Sequence, residues 1–211
     1  MRLTISINRE INELIRKIAE QMGTSKRNVI AFALAEVLQK GYSFEQLEAL
    51  REKINLDSQT TIFLTEEMAR KIEQIDRFGL SKRTFFGCLI SDYFQKNSEK
   101  FLLDSSEDLA EAKNNDLSRD YINTNMDEEL KKKITDFCKS NSIAMSFLFS
   151  YYLLAKNVQI RPFQIKKREY LHLNMNALAR KMLDKKSSDI NVTRQFYLHL
   201  VALQICEDFN L

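Results

Sequence analysis

The residues that invite a chemical reading stand at alternate positions. Arg2, Thr4 and Ser6 are separated by Leu3 and Ile5, and Gln59, Thr61 and Phe63 are interleaved with Thr60 and Ile62. Arginine and glutamine can form paired hydrogen bonds to guanine or adenine, whereas threonine and serine are shorter and discriminate less. A second group recurs as Ser25-Lys26-Arg27 and Ser81-Lys82-Arg83, each a hydroxyl followed by two cations. Enzymatic chemistry lacks its parts. His172 and His199 have no carboxylate or cysteine partner at a metal-ligand spacing, and no glycine-rich phosphate loop or nucleophile motif occurs. Cys88, Cys138 and Cys206 are odd in number, far apart and set in apolar helical patterns, which reads as buried reduced thiols. The expectation is a protein that is not an enzyme and needs no metal or cofactor.

The elements that position these residues follow from periodicity. Leu3, Ile5 and Ile7 alternate with polar residues, the pattern of a half-buried strand. Ile11, Leu14, Ile15, Ile18 and Met22 then recur at helical spacing, and Gly23 stands where a helix C-terminal glycine belongs. Thr24 or Ser25 caps a second helix through Val29, Ile30, Phe32, Ala33, Val37 and Leu38. A lone strand of about seven residues makes no stable sheet, so it needs a partner strand from elsewhere. Paired with its like, it forms a ribbon with an aliphatic inner face and a polar outer face, of a width that the DNA major groove admits.

The strand RLTISIN and the turn GTSKRNVI resemble the ribbon-helix-helix family of DNA-binding proteins, the group of the Arc, MetJ and CopG repressors. The pattern recurs. Ile62, Leu64, Met68, Ile72 and Ile75 match Ile5, Ile7, Ile11, Ile15 and Ile18 at one constant offset, and Gly79-Leu80-Ser81-Lys82-Arg83 mirrors Gly23 to Arg27. The helix of this second unit is expected to continue through Ile75 and Phe78. A connecting helix over Ser43–Ile54 has Phe44, Leu47, Leu50 and Ile54 on one face. A third unit starts near Tyr121, with Ile122, Thr124 and Met126 inward and Tyr121, Asn123 and Asn125 outward. Its turn lacks glycine, and Ala144 and Met145 replace the two cations. A fourth has Leu171 and Leu173 inward, Tyr170, His172 and Asn174 outward, Leu178 and Met182 on its first helix, then a polar turn from Lys185 to Asn191.

The expected fold is mainly α with short β ribbons, arranged as two tandem single-chain pseudo-dimeric ribbon-helix-helix modules. Residues 1–97 form the first and residues 119–211 a divergent second. Between them, residues 98–118 hold six acidic and two basic residues and read as an acidic linker, partly helical around Asp108 to Lys113. The resemblance implies that the outward strand residues read base edges: Arg2, Thr4, Ser6, Gln59, Thr61 and Phe63, then Tyr121, Asn123, Asn125, Tyr170, His172 and Asn174. It also implies that second-helix N-termini hold phosphates through Thr24, Ser25, Lys26, Arg27, Ser81, Lys82, Arg83, Thr193 and Arg194. The basic runs Lys131-Lys132-Lys133 and Lys166-Lys167-Arg168 offer another route to a DNA backbone.

Composition sets the outer limits. The chain has 211 residues, 44% of them hydrophobic, and a net charge of only +3, so any basic surface must be local. Four glycines and one proline suit a helix-rich chain. No apolar run approaches a membrane span, and the strand-like start leaves no room for a signal peptide, so a cytoplasmic monomer or homodimer is expected. The implied function is sequence-specific binding of double-stranded DNA, as a transcriptional repressor of a bacterium, plasmid or phage. The alternative is a plasmid or mobile-element accessory or antitoxin-like protein, with one DNA-binding half and a second half that binds a protein partner.

Overall fold

The computed structural model describes residues 1–101 and 120–211, so most of the acidic segment, including its expected helix at Asp108–Lys113, lies outside the described residues. The described chain is mainly helical, with two small two-stranded antiparallel sheets. It divides into two units, the first around Met1–Ser98 and the second around residues 120–138 and Ala144–Leu211.

In the first unit the order is β1 (Arg2–Ile7), α1 (Arg9–Gln21), α2 (Lys26–Val37), α3 (Phe44–Lys53), β2 (Ser58–Phe63), α4 (Glu66–Glu73) and α5 (Lys82–Asn97). Strand β1 pairs antiparallel with β2, Leu3 opposite Ile62 and Ile5 opposite Thr60. Leu3, Ile5, Ile7 and Ile62 are buried on the inner face. A one-residue slip would turn them all to solvent, at about 1.5–3 kcal/mol each, so the aliphatic face fixes the register. Helices α2 and α5 are buried on nearly every side, through Val29–Leu34 and Phe85–Ile90, and form the centre of the core.

Local signals set the helix ends. The Asn8 side chain accepts from the Glu10 and Ile11 amides and starts α1. At its other end Gly23 takes φ 60°, and the Thr24 amide donates to the Ala19 carbonyl at 2.8 Å while the Gly23 amide donates to Glu20. Ser43 and Gln46 form a reciprocal capping box at the start of α3. Two expectations need correction. Helix α4 stops at Glu73, so Ile75 and Phe78 lie beyond it. The Asp76 carboxylate accepts from the Phe78 amide, and Phe78 and Gly79 both take positive φ, a backbone path no helix can follow. Leu47 on α3 and Ile54 just past its end are buried, but Phe44 is exposed and its ring lies 6.3 Å from that of Phe78.

The second unit runs β3 (Asp120–Asp127), α6 (Glu128–Ser140), α7 (Met145–Ala155), β4 (Arg168–Met175), α8 (Ala177–Asp189) and α9 (Arg194–Asp208). Strands β3 and β4 pair antiparallel, with Ile122 opposite Leu173 and Thr124 opposite Leu171. The turn without glycine is made by Ser142, which takes φ 60° itself. Lys185 to Ser188, expected as a turn, belong to α8. Lys185 and Ser188 are exposed, Lys186 Nζ donates to the Lys156 carbonyl, and Ser187 is buried together with Leu178, Ala179 and Leu183, rather than Met182. The helix then ends as α1 does, with Asn191 at φ 53° in place of Gly23 and the Val192 amide bonded to the Ser187 carbonyl.

Candidate nucleic-acid interface

The register of β1 and β2 turns the six outward residues of the first ribbon into three cross-strand pairs: Arg2 with Phe63, Thr4 with Thr61, Ser6 with Gln59. The Thr4 and Thr61 hydroxyls lie 3.0 Å apart, and Arg2, Gln59 and Thr61 are exposed. Phe63 is 66% exposed, a bare ring at the end of an otherwise polar row. Ser6 departs from the expected reading. It is only 7% exposed, because the Arg83 guanidinium closes over its hydroxyl. Its carbonyl is also met by Gly87 on α5, where a Cβ would fall 1.8 Å from the oxygen.

The arginines of the two recurring triplets hold the ribbon. Arg27 Nε donates to the Phe63 carbonyl at 2.6 Å, and Arg83 Nε to the Ser6 hydroxyl. Each stands two positions beyond the N-cap of its helix, and each grips the strand contributed by the other repeat. The same position does the same work in the second unit with different chemistry. The Ser146 hydroxyl accepts from the Asn174 amide at 2.9 Å, and Gln195 Nε2 donates to the Asn125 carbonyl at 3.2 Å. Residue type could not reveal Ser146 and Gln195. Their distance from Ala144 and Thr193, the N-caps of α7 and α9, was the available signal.

The remaining candidate phosphate ligands sit at helix starts with internal partners. Lys26 Nζ donates to Asn12 Oδ1 at 3.1 Å, and Lys82 pairs with Glu73. An ammonium has three donors, so one such contact does not exhaust it. The Ser81 and Thr193 oxygens accept from backbone amides of α5 and α9 as caps, and Thr24 accepts from the Asn28 side chain. Ser25 makes no side-chain cap bond. Arg194 pairs with Asp184. One lysine of each basic run pairs closely with a carboxylate: Lys131 with Glu169 and Lys167 with Glu128, both at 2.8 Å.

The second ribbon carries a different face. Tyr121 stands opposite Asn174, Asn123 opposite His172, and Asn125 opposite Tyr170. Tyr121 is 58% and Tyr170 56% exposed. The Tyr121 and His172 rings stack at 4.6 Å and 26°, and His172 Nδ1 lies 2.6 Å from Asn123 Oδ1. Beside this face runs a groove of about 570 Å³ whose walls include Tyr121, Asn123, Asn125, Arg180, Thr193 and Arg194.

Asp127 holds the far end of β3. Burial works against its charge, but four backbone N–H groups, at Lys166, Leu130, Lys167 and Glu129, outweigh it and hold the carboxyl below its usual range. His199 is buried in α9, where its Nε2 accepts from the Asp127 amide at 3.2 Å and Phe163 stacks on its ring. The three cysteines are free thiols, and burial pushes the Cys138 thiol up to about 12. Among the described residues no cluster of His, Cys, Asp and Glu could hold a metal ion, and no helix is long and apolar enough to cross a membrane. No family model, curated protein or solved structure matches the chain.

Proposed function

We propose that this chain binds double-stranded DNA in a sequence-specific way, as a transcriptional repressor of the ribbon-helix-helix kind. In this reading each unit is a single-chain pseudo-dimer, and binding needs no second copy of the chain. The observation that carries it is the pairing of β1 with β2, which gathers Arg2, Thr4, Gln59 and Thr61 on one face of a two-stranded ribbon. A ribbon of this width fits the major groove, and these side chains match its donor and acceptor pattern. Lys26 and Lys82 stand at equivalent helix starts on the two repeats; in this reading they neutralise phosphates, beside their contacts with Asn12 and Glu73, and so make affinity salt-dependent. Arg27 and Arg83 act chiefly by holding the ribbon against those helices.

The experiment is duplex binding by the whole chain and by Thr4→Ala with Thr61→Ala. Discrimination between a preferred and a random duplex should fall by more than non-specific affinity does. An equal loss on all sequences would contradict base reading. The bare ring of Phe63 favours one competing reading, in which this edge of the ribbon touches a protein partner. Phe63→Ser would then leave DNA binding intact.

A further inference from the structure

We propose that the second ribbon binds unpaired bases of a single-stranded nucleic acid, stacking them on Tyr121 and Tyr170. This concerns a different face from the duplex-reading ribbon and does not depend on it. Three observations converge. First, two tyrosine rings more than half exposed stand on one ribbon face, and Tyr121 is braced against His172 in a stack at 4.6 Å. Second, Asn123 and Asn125 stand on the same face, offering amide donors and acceptors to base edges. Third, the adjoining groove of about 570 Å³ is of a size that takes small ligands, and its walls carry two cations, Arg180 and the Asp184-paired Arg194.

The geometry separates unpaired bases from a duplex. In a duplex the π-faces of the bases are covered by their neighbours, and only edges face the groove. Tyrosine rings standing on a ribbon would gain little there, because they bury most area against another flat ring. An unpaired base presents such a ring, and aromatic platforms flanked by cations are the usual means of holding single strands. The first ribbon shows the contrast. Its middle pair is two threonines, suited to edges and useless for stacking. Deoxyribose and ribose strands offer the same phosphates and, apart from the methyl group that separates thymine from uracil, the same base faces, so both belong to the ligand class.

The test is fluorescence anisotropy of the whole chain with labelled oligodeoxyuridylate and oligouridylate of about 12 nucleotides, which differ only in the sugar, against a blunt duplex. Binding of either single strand is expected, and the pair of oligomers identifies the sugar. Tyr121→Ala with Tyr170→Ala should weaken it by at least about tenfold, while Tyr121→Phe with Tyr170→Phe, which keeps both rings, should retain it. Asn123→Asp, a charge on an exposed position, should also weaken it and serves if the alanine pair fails to fold. The proposal is overturned if the folded chain binds neither single strand. It is equally overturned if removal of the rings leaves single-strand binding unchanged, or weakens duplex binding alone.

Discussion

The two ribbons share a backbone plan and differ in what stands on it. Both pair antiparallel, both bury branched or long aliphatic side chains inward, and both are gripped by the residue two positions past an N-cap. Outward, one shows threonines, arginine, serine and glutamine with a single phenylalanine at its end, the other two tyrosines, asparagines and histidine. The inner face is constrained because a slip or a polar substitution there exposes aliphatic surface or strands a buried polar group. The outer face answers to fewer such demands, with Ser6 under Arg83 the exception, so its residues are freer to differ. The grips teach the same lesson in smaller form. Arginine, serine and glutamine all fill the position, since the fold requires a hydrogen bond to the facing strand and not a particular side chain.

The comparison can be broken most forcefully at the contact between helix and ribbon. In the first unit Gly87 lies against the Ser6 carbonyl, where α5 crosses β1. Gly87→Ala should destabilise the first unit by about 3 kcal/mol or more, since the neighbour is backbone and cannot rotate away. A urea melt that follows the first unit checks this; an unshifted transition would mean the approach is looser than described. In the second unit the comparable dependence falls on Asp127, whose carboxylate joins the start of α6 to the segment before β4. Asp127→Asn should cost about 1–2 kcal/mol at neutral pH. Its folded pKa is depressed, so this stabilisation is present above the ordinary carboxylate range and is lost as pH falls below about 4, through the folded value. Wild type and variant should therefore converge in acid; a gap that persists at low pH would remove the charge from the explanation.

Smaller effects sharpen the contrast between reading and clamping. Lys26→Ala with Lys82→Ala should flatten the salt dependence of duplex binding by about 1–2 units of slope and weaken all sequences alike. An unchanged slope would make these lysines bystanders. The smallest effect concerns the thiols. Cys138, with its pKa raised by burial, should react with a thiol reagent at pH 8 more slowly than the half-buried Cys206, and only global unfolding should make them equal. Equal rates in the folded chain would contradict the burial described.

Much of this organisation was legible in the sequence, for physical reasons. Alternation fixed which residues of the four strands face outward, because the side-chain period of a strand is two and an aliphatic inner row leaves no freedom. The twelve outward candidates fall into six cross-strand pairs, although periodicity alone could not say which strand would pair with which. What was not legible lay in contacts distant in sequence. Nothing local marks Ser6 as buried, since the cover comes from Arg83, 77 residues away. Gly87 reads as a weak point in a helix until the Ser6 carbonyl is placed beside it. The polar run Lys185 to Ser188 imitated a turn because the position that faces the core is filled by Ser187, so no apolar residue marks the helical period, and the cap at Asn191 settles the difference.

The most direct test of the central claim, that the first ribbon reads duplex DNA, is selection of bound sequences from a random duplex pool by the whole chain at near-physiological salt. The account predicts an enriched motif that is lost with Thr4→Ala and Thr61→Ala and kept with Tyr121→Ala and Tyr170→Ala. A folded, monodisperse protein that enriches nothing would contradict it.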